Sequence, residues 1–216
     1  MTSTLPRARL ALIPPVLALT WGLNWPAVRI ALTAFPPFTM RAVGLGSGAL
    51  LLALLALAQG RRLLPQADAW RGVAMGGILT VALFNICTAM AQLNTSTSRA
   101  AVLTFTMPLL SALLAWWLLG ERLRRRQIAA LALGMAGITL LAWPVLRSLG
   151  GAGITPRDLK GLAFPLIAAF GWALGTVLAK RWPVAGDRLV IAAWQLAIAA
   201  VCAGAGGVIA GEALPA

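Results

Sequence analysis

Three short polar sets interrupt otherwise apolar stretches of this chain, and their spacings are those of helix faces. Trp21, Asn24 and Trp25 stand at i, i+3 and i+4, where two indoles and an amide would cradle the apolar and polar parts of a small amphipathic solute. Pro26 follows them and frees the Gly22 carbonyl from the helix ladder as an acceptor. Asn85, Thr88 and Gln92 at i, i+3 and i+7 make a second stripe. Thr104, Pro108 and Ser111 at i, i+4 and i+7 make a third, in which Pro108 releases the Thr104 carbonyl. Each set also has a purely structural use. Tryptophans anchor helices at a membrane–water interface, amides and hydroxyls bind neighbouring helices, and a proline can simply bend the chain. Arg41 has two readings as well: it attracts an anionic group such as a carboxylate, or it snorkels to lipid headgroups, which is the simpler of the two.

Other chemistries lack their residues. The sequence contains no histidine, which removes the usual metal ligand and proton shuttle. Cys87 and Cys202 fall inside apolar runs, where cysteine behaves as a small hydrophobe, so no cofactor and no metal are expected. The five acids, Asp68, Glu121, Asp158, Asp187 and Glu212, all lie in connections or at the ends of apolar runs. An intramembrane acid is the common device for proton or sodium coupling, and none is placed to serve.

The elements that must position these residues are membrane helices. Of 216 residues 60% are hydrophobic and 11% charged, too few charges to wet the surface of a soluble domain. Apolar runs long enough to cross a hydrocarbon core are predicted at roughly 9–32, 36–58, 72–93, 99–119, 127–146, 159–180 and 188–210. The net charge of +13 would suggest nucleic acid in a soluble protein. Here the basic residues sit in short loops between spans, as topology determinants do, and the expected partner is the lipid bilayer, with no nucleic acid. An N-terminus on the cytoplasmic side leaves Arg29, Arg41, Arg99, Arg147, Arg157 and Lys160 on the other, six of the eighteen basic residues against twelve. Arg7 and Arg9 before an apolar run resemble a signal peptide, but Pro14 and Pro15 interrupt the run and its length predicts a retained first helix. Glycines at GxxxG spacing, Gly44 and Gly48, Gly72 and Gly76, Gly171 and Gly175, Gly207 and Gly211, predict close helix packing.

Sliding the chain by 151 positions lays WGLNWPAVR (Trp21 to Arg29) on WALGTVLAK (Trp172 to Lys180). With five spans in the first unit, the second enters the membrane from the opposite side, which is an inverted-topology repeat. The repeats are predicted at residues 1–146, five helices, and from 159 to 216, two helices of an incomplete second unit.

The stretch Ala101 to Arg126, with its internal proline and the following Gly120, Glu121, Arg122 and Leu123, resembles the EamA domain of the drug/metabolite transporter superfamily. Trp21, Gly22 and Asn24, Pro37 followed by Arg41, Gly134 and Gly137, and Ala193, Trp194 and Gln195 are similar to it too. The resemblance implies an all-α polytopic permease of two inverted five-helix repeats, of whose ten helices this chain carries about seven. It implies a central cavity lined by helices one, three and four and their repeat mates. The cavity candidates carried over are Trp21, Asn24, Asn85, Thr88, Thr104 and Pro108, with Trp172 and Thr176 from the second repeat.

The functional expectation is a bacterial-type inner-membrane secondary transporter that exports a small-molecule substrate, amino acids foremost and aromatic ones included, by alternating access. Alternatives are a multidrug or other metabolite exporter and a structural membrane subunit; small multidrug exporters depend on a glutamate in the first helix, which is missing here. An enzyme is not expected, since no activated nucleophile or buried acid pair is present. The sequence leaves the substrate, the coupling and the oligomeric state open.

Overall fold

The computed structural model describes residues 7–151 and 155–213, and every regular element in them is helical. Seven rods follow one another: α1 (Arg7–Ala34), α2 (Pro37–Ala58), α3 (Ala67–Asn94), α4 (Thr97–Leu119), α5 (Arg125–Gly151), α6 (Pro156–Arg181) and α7 (Arg188–Ala210). They coincide with the seven predicted spans, with α5 and α6 each longer at the connection between them. Of these, α2, α3, α4, α6 and α7 are long and apolar enough to cross a membrane by length and composition, each with a mean hydropathy of 1.9. The side chains of Arg7 and Arg9, the centre of the 144–160 connection and residues 214–216 lie outside the described residues.

The surface is inverted relative to a soluble protein. Leu50, Leu51, Leu133, Leu140, Val201, Val208 and Ile209 all point outward, Ile209 with 87% of its surface exposed. In water such a surface would drive aggregation, whereas in lipid it is the natural boundary. A polytopic membrane protein follows from this together with the five spans.

The core is thin and made of small residues. α6 is the central rod, touching both α3 and α4, and its Ala168, Ala169 and Ala173 are fully buried. α2 lies along α7, while α1 and α5 are held by few contacts. Lipid tails compete for apolar contact as well as side chains do, so association depends on close fit rather than on hydrophobicity. Glycines supply that fit. A methyl on Gly171 would lie 2.6 Å from the Leu83 side chain, and one on Gly175 would collide with the Thr80 hydroxyl. Gly76 and Gly77 do the same for α7, where Gln195 and Ile198 fill the space. Gly44, Gly134 and Gly137 meet nothing within 4 Å, so only part of the glycine pattern is packing.

Two irregularities shape the interior. In α3 the eight residues Gly76–Leu83 form a π-helix between α-helical segments. Such segments recur at functional sites, because the extra residue per hydrogen-bonded ring redirects the helix face that follows. In α4 the helix stops at Thr104, turns through Phe105 and Thr106, and restarts at Met107. Pro108 occupies the first turn of the restarted helix, where no N–H is needed; its ring excludes the Thr104 carbonyl from the ladder. The expected kink is therefore a break, two residues ahead of the proline.

Helix ends are tied by side chains from distant parts of the chain. Glu212, just past α7, accepts hydrogen bonds from the Phe38 and Thr39 amides at 3.1 and 2.7 Å and from the Thr39 hydroxyl at 2.9 Å. A carboxylate there satisfies orphan donors of α2 and complements its dipole. Asp187 caps α7 through the Leu189 and Val190 amides and pairs with Arg61 after α2. Gly120, at φ 66°, ends α4 in the left-handed conformation that glycine adopts without strain. Glu121 then reaches Lys180 at the end of α6, 2.8 Å away. Gly120 and Glu121 of the Gly-Glu-Arg sequence thus stop one helix and tie it to another.

Candidate functional site

Halfway along α1, the helix face carrying Thr20, Trp21, Asn24 and Trp25 opens onto a cavity of about 300 Å³. Arg41 of α2 and Phe84, Asn85, Thr88 and Gln92 of α3 form further walls. Thr104, Phe105 and Met107 come from the break in α4, and Trp172 comes from α6. Side chains from five helices therefore meet around one space.

The aromatic part of the wall is continuous. Trp172 meets Trp21 edge to face with ring centroids 5.9 Å apart, and Phe84 at 4.8 Å on a tilt. Edge-to-face pairs set the positive rim of one ring on the negative face of the other, which fixes both rings while leaving apolar surface for a ligand. The polar part is mostly self-satisfied. The Asn85 amide donates to the Val81 carbonyl at 2.9 Å and the Thr88 hydroxyl to the Asn85 carbonyl at 3.1 Å. Gln92, buried, accepts from Thr97 at 3.2 Å, and Thr104 donates to the Ala100 carbonyl at 2.7 Å. Hydroxyls turned back onto their own helix are satisfied without a partner and keep lone pairs for a ligand.

Of the eight residues expected at the cavity, Trp21, Asn24, Asn85, Thr88, Thr104 and Trp172 line it. Pro108 does not; it is exposed and acts one step removed, through the break that brings Phe105 and Met107 inward. Thr176 is also exposed outside the lining, its hydroxyl donating to the Trp172 carbonyl at 2.8 Å. Thr176 shares the helix face of Trp172 but stands one turn further along α6, beyond the lining residues.

Arg41 is a correction. The simpler expectation was snorkelling to headgroups, yet the side chain lines the cavity, and one guanidinium nitrogen approaches the Thr88 hydroxyl at 3.4 Å. Two further wall residues were legible by spacing: Thr20 precedes Asn24 by four residues and Phe84 precedes Thr88 by four. Phe105 was not, because its direction is set by the non-helical turn.

None of the five acids is among the cavity-lining residues. Outside the spans, Asp187 has its carboxyl held below the usual carboxylate range: partial burial would raise it, but the Arg61 hydrogen bond and the Leu189 and Val190 amides outweigh that.

A bundle of membrane-spanning helices around a small amphipathic cavity is the architecture of a polytopic permease rather than of a soluble binding domain. The EamA-like transporter family matches residues 12–143, more than half of the chain, and the chain belongs to that family. It is 29% identical over 197 residues to YvbV of Bacillus subtilis, an uncharacterized transporter, covering 91% of this chain and 62% of the relative. It is 30% identical over 167 residues to YedA of Escherichia coli K12, an uncharacterized inner membrane transporter, covering 76% and 51%. A WAT1-related chloroplastic protein of Arabidopsis thaliana is 29% identical over 180 residues, 82% of this chain and 42% of the plant protein. A solved crystal structure shares 26% identity at a TM-score of 0.58, covering 87% of this chain and 64% of the other. The chain thus spans less than two thirds of the length of these relatives.

Proposed function

We propose that this chain carries small amphipathic metabolites across a bacterial-type inner membrane, amino acids with apolar or aromatic side chains foremost, by alternating access about the cavity between α1, α3, α4 and α6. The observation that carries this reading is the composition of the cavity wall. Trp21, Trp172 and Phe84 offer apolar surface, and Asn24, Asn85 and Thr88 offer uncharged polar groups, in a space of about 300 Å³. Small-molecule sites have this make-up, mostly apolar with a few placed polar groups.

Residues 1–146 serve as the first repeat and residues from 159 as the start of the second, so that α1 and α6 are repeat mates. The contact of Trp21 with Trp172, 151 positions apart, supports this pairing. The N-terminus and the arginine-rich connections after α2 and α4 face the cytoplasm. Without a carboxylate on the wall, transport has no obligatory proton step in these seven helices.

The test is efflux of labelled phenylalanine, tryptophan and leucine from proteoliposomes holding the intact protein, with and without an imposed pH gradient. The expected result is protein-dependent flux that changes little with the gradient. Absence of flux for every solute of this class would overturn the reading.

A further inference from the structure

We infer that Arg41 is the receptor for a carboxylate on the transported solute, so that the substrate class of the cavity is organic acids, amino acids included, with an apolar body. This rests on the reading of the cavity as the transport site and narrows it.

Among the described residues Arg41 is the one charged side chain on the cavity wall. Its only hydrogen bond among the described residues is the 3.4 Å approach of a terminal nitrogen to the Thr88 hydroxyl. The Nε of the same guanidinium is buried with no partner among the described residues. A guanidinium is permanently charged, and a buried donor without an acceptor is costly, so the protein alone leaves this group incomplete. Among the described residues no carboxylate answers it: Glu212, Glu121, Asp187 and Asp158 engage Thr39, Lys180, Arg61 and Thr155, and neither these nor Asp68 is on the wall.

The adjacent Nε–H and Nη–H of arginine form a planar fork matched to the two oxygens of a carboxylate. A solute carboxylate placed there takes up the orphaned Nε–H and neutralises the charge. The rest of the solute then lies against Trp21, Phe84 and Trp172.

Binding to the intact protein in lipid nanodiscs, followed by calorimetry, tests this with four probes: L-phenylalanine, 3-phenylpropionate and the primary amide of each. Each acid is expected to bind at least tenfold tighter than its amide. In Arg41→Gln that preference should vanish, and in Arg41→Lys, which keeps the charge without the fork, it should fall partway. The preference in the unaltered protein decides the matter even if a variant folds poorly. Equal binding of acids and amides, or an undiminished preference in a folded Arg41→Gln, overturns the carboxylate assignment and leaves the transport reading standing. If none of the four binds and the intact protein moves no labelled solute of this class, the transport reading fails, and the assignment with it.

Discussion

The indole of Trp172 stands edge to face against that of Trp21, 5.9 Å between ring centroids, although 151 positions of sequence separate them. The contact joins the central helix α6 to the loosely held α1 across the cavity. On the proposed alternating-access reading, a movement of α1 against α6 would break this contact. Such a pair contributes about 0.5–1.5 kcal/mol beyond its buried area. Trp172→Ala is expected to lower flux at least tenfold and the melting midpoint as well, since it removes ring contacts to both Trp21 and Phe84. Comparing initial flux with thermal unfolding of the same preparation separates the two effects.

Packing between α3 and α6 gives a sharper structural expectation. Gly175 sits where a methyl would strike the Thr80 hydroxyl of the π-helical segment, whereas Gly134 in α5 faces open space. Overfilling a close contact costs roughly 1–3 kcal/mol. Gly175→Ala should therefore lower the unfolding midpoint and the purified yield, and Gly134→Ala should leave both unchanged. Equal behaviour of the two would contradict the packing of α6 against Leu79, Thr80 and Leu83.

The Asp187 carboxyl, held low by Arg61 and two amides, links stability to acidity. A carboxylate whose folded pKa lies below its unfolded value stabilises fully above the unfolded value and loses that contribution as pH falls through the folded one. The unfolded value is about 3.9. Asparagine also caps helices well, so Asp187→Asn isolates the charge. The difference in unfolding midpoint between the protein and this variant should stay constant from neutral pH to about 5 and shrink below about 4.

Glu212 makes a comparable expectation at the other end of α7. Its carboxylate accepts from two amides and the hydroxyl at the start of α2. Loss of a capping side chain costs about 0.5–2 kcal/mol. Glu212→Ala should lower the unfolding midpoint, and hydrogen exchange at Phe38 and Thr39 should accelerate selectively.

The helices were legible because membrane spans announce themselves: long apolar runs bounded by arginine or proline leave little ambiguity, and every predicted span has its rod. Trp21, Asn24, Asn85 and Thr88 were legible as wall candidates because polar and aromatic groups at helical spacing stand out in apolar surroundings. Pro108 marked the break in α4 correctly but not its own place, since a proline disturbs the carbonyl four residues before it. Thr176 lies outside the lining although it follows Trp172 at i+4, since spacing along a helix gives the face and not how far along it the cavity reaches. Arg41 could not be read at all from spacing. Near a helix end both lipid headgroups and an interior cavity are within reach, and only packed coordinates distinguish them. The π-helix over Gly76–Leu83 leaves no mark in composition, and it sets the direction of the whole Asn85, Thr88, Gln92 stripe.

The most direct measurement of the central claim is counterflow of labelled phenylalanine into proteoliposomes preloaded with the unlabelled amino acid, for the intact protein and for Asn85→Ala at matched protein content. Asn85 lines the cavity and, among the described residues, its side chain bonds only to its own helix, at Val81, so its loss removes a wall group without loosening the bundle. The account predicts robust counterflow in the unaltered protein and at least a tenfold loss in the variant at unchanged yield. Counterflow that is equal in both would contradict it.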